Sequence, residues 1–324
     1  MDISVDRTEW HGIEAWMLSS PDLTVVIVPS MGAKIVSLVD RRRGSEWLIG
    51  PGARPFKPAE YGAVFTDQDM SGWDEMFPTI SACAYPGPNA LHGASLPDHG
   101  EVWALPWQIV PSEPGSLSLA VSGRALPYRL TRTADFPEPG SLRLRYTLQN
   151  NDADAMPYLW AAHPQFTCGP DGQVVLPDEV RQVVNTLPAE WGWGAPETRF
   201  DWPAASALDG SPVRADLVGA PDLRRGRKLF ALPHVRPSWA AVLRRDTGLW
   251  LRFEWDPQRV PYLGVWVDEG AFNHASVAAP EPMTAWYDNL ALAHSTGHAA
   301  ILPGGETHAW TLTVRLGGDF QAHP

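Results

Sequence analysis

Proline and glycine occur throughout this chain, and their frequency limits the secondary structure that it can form. The 324 residues include 32 prolines and 28 glycines. Both residue types disfavour the interior of a helix and favour turns between short elements. No stretch of the sequence carries a 3.6-residue apolar stripe longer than about two turns. The sequence therefore predicts a mainly β fold made of many short strands.

Short apolar runs mark where these strands should lie. The predicted strands are residues 13–18, 23–28, 34–39, 117–121, 142–148, 240–243, 249–254, 263–267 and 310–316. In residues 142–148, Leu and Tyr alternate with Arg and Thr, as in an antiparallel strand with one buried face. Because the strands are numerous and unevenly spaced, the sequence favours a large antiparallel β-sandwich over a barrel. We expect one domain over residues 1–324, because all-β sandwiches often exceed the usual domain length.

Residues 186–227 have the weakest pattern in the chain. They contain proline, glycine and the two tryptophans Trp191 and Trp193. A connection this long inside a compact domain is more often a lid or a binding loop than a linker. The alternative is a surface loop without a function.

The charge balance argues against several classes of partner. Lys and Arg total 25 against 37 Asp and Glu, which gives a formal net charge of -12. Proteins that bind nucleic acid usually present a basic surface, so nucleic acid is not an expected partner. The sequence starts with no basic, apolar leader and contains no run of about 18 apolar residues. We therefore expect a cytoplasmic monomer or homodimer that does not associate with membranes.

Several kinds of catalytic motif do not occur in the sequence. It has no Gly-x-Ser-x-Gly nucleophile motif and no glycine-rich loop of the kind that holds a nucleotide phosphate. Its two cysteines, Cys83 and Cys168, are too few for a disulfide framework and lack metal-ligand spacing. His92, His99 and Glu101 form only a weak metal-binding pattern, because a second histidine would be expected where Glu101 stands. We therefore expect neither a nucleotide cofactor nor a bound metal.

Two adjacent carboxylates stand among aromatic residues in a segment too apolar for a solvated loop. Asp74 and Glu75 lie between Trp73 and Phe77. A sugar has apolar ring faces and many hydroxyl groups, so aromatic rings beside carboxylates are suited to bind it. The alternative interpretation is a core edge that carries two paired acids.

His163 and Glu281 are the residues best suited to acid–base chemistry. A histidine titrates near neutral pH, and burial can raise the pKa of a carboxyl group toward the same range. Proline and apolar residues flank both of them. Each could instead be structural, His163 as a hydrogen-bonded core residue and Glu281 as an acid in a turn. Catalysis would require that they meet across a site about one sugar ring wide.

Several short groups of residues occur in a specific order along nearly the whole chain. They are residues 32–38, 40–42, 46–48, 72–78, 98–103, 163–166, 281–282 and 302–306. In content and order they resemble the aldose 1-epimerase (galactose mutarotase) superfamily, in particular its bacterial mutarotase-like branch. The resemblance implies the galactose mutarotase-like supersandwich, with a sugar bound on its concave sheet. It also implies interconversion of the α and β anomers of a free aldose.

The resemblance further implies roles for individual residues. Glu281 would be the base that takes the proton of the anomeric hydroxyl, and His163 the acid that protonates the ring oxygen. Neither a metal nor a cofactor would be needed. The residues expected to contact the sugar are Trp73, Asp74, Glu75, His92, His99, Trp266, Asp268 and Glu269.

Two other functions remain open on the same fold. The protein could bind or sense a carbohydrate without turning it over, because fold does not determine function. It could also isomerise an unusual sugar, since no arginine stands in the Trp73–Glu75 region, where galactose mutarotases carry one. The presence of both His163 and Glu281 favours catalysis over binding alone.

Overall fold

The computed structural model describes residues 2–191, 193–206 and 210–320. The first strands are β1 (Ser4–Trp10), β2 (Ile13–Ser19), β3 (Leu23–Val28), β4 (Lys34–Asp40), β5 (Ser45–Glu46), β6 (Trp73–Met76), β7 (Cys83–Ala84), β8 (Ser95–Leu96) and β9 (Gln108–Val110). They are followed by β10 (Leu117–Ser122), β11 (Tyr128–Asp135), β12 (Ser141–Asn150), β13 (Met156–Tyr158), β14 (Ala161–Pro164), β15 (Phe166–Thr167), β16 (Gly172–Val175), β17 (Gln182–Asn185) and β18 (Arg199–Asp201). The last are β19 (Ala204–Ser206), β20 (Pro212–Arg214), β21 (Arg225–Ala231), β22 (Trp239–Arg244), β23 (Leu249–Trp255), β24 (Tyr262–Glu269), β25 (Ser276–Met283), β26 (Ala300–Leu302) and β27 (Thr307–Gly317).

Helices play a small part in the described residues. One short α-helix, α1 (Leu290–Ser295), begins after Asn289, whose side chain accepts a hydrogen bond from the Leu292 N–H and caps the helix. Single 3₁₀ turns occur at Phe65–Asp67, Val102–Ala104, Ala189–Trp191 and Pro221–Leu223. No helix in the described part of the chain is long and apolar enough to span a membrane.

Two large antiparallel sheets contain most of the strands. The larger sheet follows the order β1-β2-β3-β4-β6-β14-β25-β24-β21-β17-β18, with β5 beside β4 and β15 beside β25. The smaller sheet follows the order β16-β22-β23-β27-β12-β11-β10-β9. The mainly β, antiparallel sandwich expected from the sequence is confirmed.

The predicted strands all fall within observed ones. They correspond to β2, β3, β4, β10, β12, β22, β23, β24 and β27. In β12 the alternation holds, because Leu142, Leu144, Tyr146 and Leu148 are buried while Arg145 and Thr147 are exposed. Residues 186–227, in contrast, include the short strands β18, β19 and β20 as well as irregular chain.

The main core lies between the two large sheets. Trp73 on β6 packs edge-on against Phe166 on β15 and Phe253 on β23, with ring centroids 6.2 and 5.2 Å away. All three side chains are fully buried. Because side chains alternate along a strand, the residues next to Trp73 point to the opposite face of the larger sheet.

The strand register brings several polar residues to that opposite face. Residues paired directly across two antiparallel strands share a face. On β14, His163 pairs with Asp74 of β6. On β24, Gly264 pairs with Glu281 of β25, and Trp266 pairs with Lys228 of β21. The face of the larger sheet turned away from the core therefore carries the candidate site.

Candidate active site

A cavity of about 200 Å³ opens over this face of the larger sheet. Its apolar wall includes Phe65, Met70, Leu187, Trp191, Trp266 and Phe272. Its polar wall includes His99, His163, Lys228 and Asp288. Such a combination of aromatic surface with a few convergent polar groups is typical of a small-molecule site.

His163, which lines this cavity, lies next to the buried Glu281. The Nε2 atom of His163 lies 3.6 Å from Glu281 Oε1. His163 is only 5% exposed and Glu281 is fully buried. On its other side, His163 Nδ1 lies 3.3 Å from the side-chain nitrogen of Gln165. The structure thus brings together the two residues that the sequence predicted as acid and base.

Lys228 holds the other oxygen of Glu281. Its ammonium group donates a hydrogen bond to Glu281 Oε2 and lies 3.2 Å from Asp288 Oδ1. Glu281 Oε1 accepts no hydrogen bond from any residue that the structure describes. One carboxylate oxygen is therefore paired and the other faces His163.

Burial shifts the pKa values of the pair in opposite directions. Burial raises the pKa of Glu281 to about 7; Lys228 opposes this shift and Asp288 adds to it. Burial lowers the pKa of His163 well below its usual value, and the positive charges of His99, Lys228 and Lys34 lower it further. Burial alone would lower the pKa of Lys228, but Asp288 and Glu281 together outweigh it and raise that pKa.

His99 also lines the cavity and contacts His163. Its ring stacks on Phe65 at 4.2 Å between centroids and meets His163 edge-on at 5.6 Å. His99 Nδ1 lies 3.0 Å from Asp98 Oδ1. The contact with Asp98 orients the His99 ring beside the cavity.

Solved structures resemble this chain over nearly its whole length. A Klebsiella pneumoniae protein with a provisional aldose 1-epimerase name is 13% identical with a TM-score of 0.71, and the match covers 98% of this chain and 85% of that one. A galactose mutarotase-like protein from Lactobacillus casei is 16% identical with a TM-score of 0.67, covering 94% and 100%. A galactose mutarotase related enzyme from Lactobacillus acidophilus is 12% identical with a TM-score of 0.64, covering 94% and 98%.

This chain has the galactose mutarotase-like fold. No protein-family model matches the sequence, and no curated protein matches it. At these identities the likeness shows the fold, so the function must be argued from the site itself.

An aromatic cluster forms one side of the site in this mutarotase-like fold. Trp191 stacks on Phe272 at 5.5 Å between centroids, and Trp266 lies 5.8 Å from Phe272. A Cβ atom on Gly226 would lie 2.8 Å from the Trp266 ring, so glycine is required beneath it. Asp268, predicted to bind sugar, instead accepts backbone hydrogen bonds from residues 271–273 and so shapes the turn that carries Phe272.

Asp74 lies on the cavity side of β6 but beneath the surface. Its Oδ2 atom is 3.1 Å from Lys34 Nζ, and Lys34 also donates to both oxygens of Asp69. Burial raises the pKa of Asp74 to about 7, although Lys34 opposes the shift. Asp74 therefore stands behind His163 and does not line the cavity itself.

Trp73 and Glu75 point into the core, which corrects the expectation that they contact a sugar. Glu75 is fully buried and accepts hydrogen bonds of 2.8 Å from Arg132, Tyr146 and Trp160. The strand geometry of β6 explains this, because alternate residues face opposite sides. The two adjacent acids are therefore divided, with Asp74 toward the site and Glu75 between the sheets.

His92 and Glu269 also lie away from the cavity, contrary to expectation. His92 is exposed, and its Nδ1 atom is 3.0 Å from the Gly87 carbonyl oxygen. Glu269 is buried on the core side of β24, where it pairs with Arg225 and Arg227. Among the predicted contact residues, His99 and Trp266 line the cavity.

Glu101, part of the weak metal pattern, has a structural environment. Its carboxylate accepts hydrogen bonds from the hydroxyls of Tyr61 and Tyr128 and from the backbone N–H groups of Arg124 and Ala125. Across residues 2–191, 193–206 and 210–320, no three His, Cys, Asp or Glu side chains form a group that could hold a metal ion.

Sequence reasoning missed Lys228 and the ion pair that Asp288 makes with it. Lys228 is one of three lysines in the chain, and it stands in a run that alternates Arg225, Arg227 and Leu229 with Gly226, Lys228 and Phe230. If that run is taken as a strand, Lys228 points to one face and the two arginines to the other. No local pattern signals that it reaches Glu281, which is 53 residues away.

Proposed function

We propose that this protein is an aldose 1-epimerase-type isomerase, which interconverts the α and β anomers of a free sugar. The observation that carries the proposal is the 3.6 Å approach of His163 Nε2 to Glu281 Oε1 beside a cavity with aromatic walls. Anomer exchange requires an acid and a base that reach the same bound molecule. The galactose mutarotase-like fold supports the same class of reaction.

The proposed reaction is a pair of coupled proton transfers. Glu281 Oε1 takes the proton of the anomeric hydroxyl while His163 Nε2 gives a proton to the ring oxygen. The bond between C1 and the ring oxygen breaks, and C1 becomes an aldehyde. After rotation about C1–C2, the C5 hydroxyl returns its proton to His163 as its oxygen attacks C1. Glu281 then returns its proton to the new anomeric oxygen, which closes the cycle.

The active state of the pair holds one proton. Because the pKa of Glu281 is raised to about 7 and that of His163 is lowered, the proton resides mainly on Glu281 in the free protein. The arrangement with a Glu281 carboxylate and a protonated His163 has the same total charge. A pH profile reports the pair and not one residue, so both arrangements give the same profile.

The pH dependence of kcat/KM should therefore be bell-shaped. Above about pH 7 the rate falls, because Glu281 loses the single proton. On the acid side the rate falls only well below pH 6.5, because the second proton binds His163 with a lowered pKa. Anomer exchange measured in dilute buffer, with the spontaneous rate subtracted, checks this. A flat profile between pH 5 and 8, or a rate that rises through pH 8, would contradict it.

Trp266 should contribute to sugar binding. Its half-buried ring forms the cavity wall beside Phe272 and offers an apolar face to the sugar ring. Trp266→Ala is expected to raise Kd about tenfold, equivalent to about 1.4 kcal/mol. Isothermal titration with the preferred sugar measures the change. Trp239→Ala, on the smaller sheet and outside the cavity, is the matched control and should leave Kd unchanged.

The proposal is tested by following the anomeric protons by NMR. Freshly dissolved α-glucose, α-galactose and other free aldoses are mixed with the protein, and the approach to anomeric equilibrium is timed. Acceleration of at least one aldose supports an epimerase, and the relative rates identify the preferred sugar. If a sugar binds by titration but no aldose is accelerated, the protein is a carbohydrate-binding protein on the same fold.

A further inference from the structure

Lys228 is a buried cation that links two carboxylates at the edge of the cavity. Its side chain is 7% exposed, it hydrogen-bonds Glu281 Oε2, and it lies 3.2 Å from Asp288 Oδ1. We propose that Lys228, held by Asp288, is a positioning residue that occupies Oε2 of Glu281 and so leaves Oε1 as the oxygen that exchanges a proton with the sugar. This inference rests on the proposed function and adds a third and a fourth residue to its machinery.

The sheet builds this arrangement from three neighbouring strands. Lys228 on β21 and Glu281 on β25 are separated by β24, whose residue opposite Glu281 is Gly264. A Cβ atom at Gly264 would lie 3.4 Å from Glu281 Oε2 and 3.6 Å from Lys228 Cε. These are ordinary van der Waals distances, and because position 264 carries no side chain, none stands between the lysine and the carboxylate. The Phe230 ring, 5.4 Å from Lys228 Nζ, adds a cation–π contact.

The charges around Glu281 act against one another. Lys228 faces it from β21, His163 from β14 and Asp288 from the segment after β25, while β24 contributes Gly264 at this position. Lys34 and His99 both lie near His163 and lower its pKa. After burial, Lys228 has the largest effect on the pKa of Glu281 and lowers it, and Asp288 raises it. Removal of the Lys228 charge should therefore raise the pKa of Glu281, and removal of the Asp288 charge should lower it.

The structure argues against a covalent role for Lys228. An imine with the open-chain aldehyde would require the neutral amine as nucleophile. The two carboxylates raise the pKa of Lys228, so the ammonium form predominates at neutral pH. Lys228 is thus suited to hold Glu281 by charge and hydrogen bonding.

The experiment compares Lys228→Met with Asp288→Asn by two readouts. In the pH profile of kcat/KM, Lys228→Met should move the midpoint of the alkaline decline to a higher pH, by about one unit or more. Asp288→Asn should move the same midpoint to a lower pH. Lys228→Arg keeps the charge and should keep the wild-type limb. Carbon-13 NMR of labelled glutamate carboxyl groups, assigned with Glu281→Gln, follows the Glu281 pKa directly and requires no turnover. Lys57→Met and Asp246→Asn remove exposed charges and serve as matched controls.

The outcomes separate this inference from the proposed function. Opposite shifts of the two variants, with the controls unchanged, establish the role of Lys228. An unchanged Glu281 titration in Lys228→Met, or shifts of the same sign in both variants, overturns it. If Lys228→Met does not fold, the test of the inference is made with Asp288→Asn and Lys228→Arg. A wild-type pKa for Glu281 in Asp288→Asn then counts against the inference. If the wild-type protein accelerates no aldose, the proposed function fails while the carboxyl titration still tests the pairing.

Discussion

Glu281→Gln should lower the rate of anomer exchange by about 10²–10⁴-fold, the usual contribution of a positioned proton-transfer group. Glutamine keeps the size of the side chain but cannot take or return a proton. Its oxygen can still accept a hydrogen bond from Lys228, which limits the structural change. Sugar affinity is expected to stay within about tenfold, because the lost interaction acts mainly in the transition state. NMR exchange rates and calorimetric titration measure the two quantities.

The control for this variant is Glu9→Gln. Glu9 is an exposed glutamate on β1, at the far end of the same sheet, and its replacement should leave both rate and affinity at wild-type values. Wild-type exchange rates in Glu281→Gln would remove Glu281 from the reaction. A complete loss of sugar binding would instead make its role one of ground-state binding.

Arg132→Met should destabilise the protein by about 3–5 kcal/mol, because it leaves a buried carboxylate without its cation. Arg132 and Glu75 are both fully buried between the two large sheets, 2.8 Å apart. Tyr146 and Trp160 still donate to Glu75 in the variant but carry no charge. Urea unfolding followed by circular dichroism gives the free energy of unfolding and its m-value.

Two further variants identify the cause of this loss. Arg143→Met breaks a partly exposed pair with Asp135 on the same smaller sheet and should cost about 1 kcal/mol or less. Adding Glu75→Gln to Arg132→Met removes the unpaired charge and should restore part of the stability. If Arg132→Met costs no more than Arg143→Met, the buried pair is not a main contributor to stability.

The sequence predicted the strands with simple alternation and missed β6, β14, β21 and β25, which carry most of the polar residues at the site. β12 shows one polar and one apolar face, so its pattern is visible in the chain. β6, β14 and β25 are buried on both faces and contain charged or proline residues, so their patterns resemble turns. A buried polar site removes the very alternation on which strand prediction depends.

The prolines of β25 show how the sheet accommodates this exception. Proline cannot donate a backbone hydrogen bond and is disfavoured inside a sheet. β25 pairs with β14 at Met283 and with β15 at Ala278 and Val277, and Pro280 and Pro282 fall between these pairings. The same interruption is the place where His163 and Glu281 face each other. Sequence reasoning found both residues because histidine and glutamate are conspicuous there, but it could not supply their separation.

The expected sugar contacts of β6 were wrong because the sequence did not show β6 to be a strand. Without β6 as a strand, Trp73, Asp74 and Glu75 could only be taken together, although the pleat divides them between two faces. Glu269 lies two residues beyond the predicted end of β24 at residue 267, and in the structure it faces the core side of that strand. Lys228 was missed because its partners, Glu281 and Asp288, lie more than 50 residues further along the chain. These contacts follow from strand pairing over long sequence separations, which local patterns do not record.

The division of β6 also bears on how such a protein can diverge. Trp73 and Glu75 pack between the two sheets, whereas Asp74 lies on the other face of β6, next to His163. Odd and even positions of this strand therefore lie in different environments. A substitution at position 74 can therefore change the surroundings of His163 while the partners of Arg132 and Phe253 stay in place.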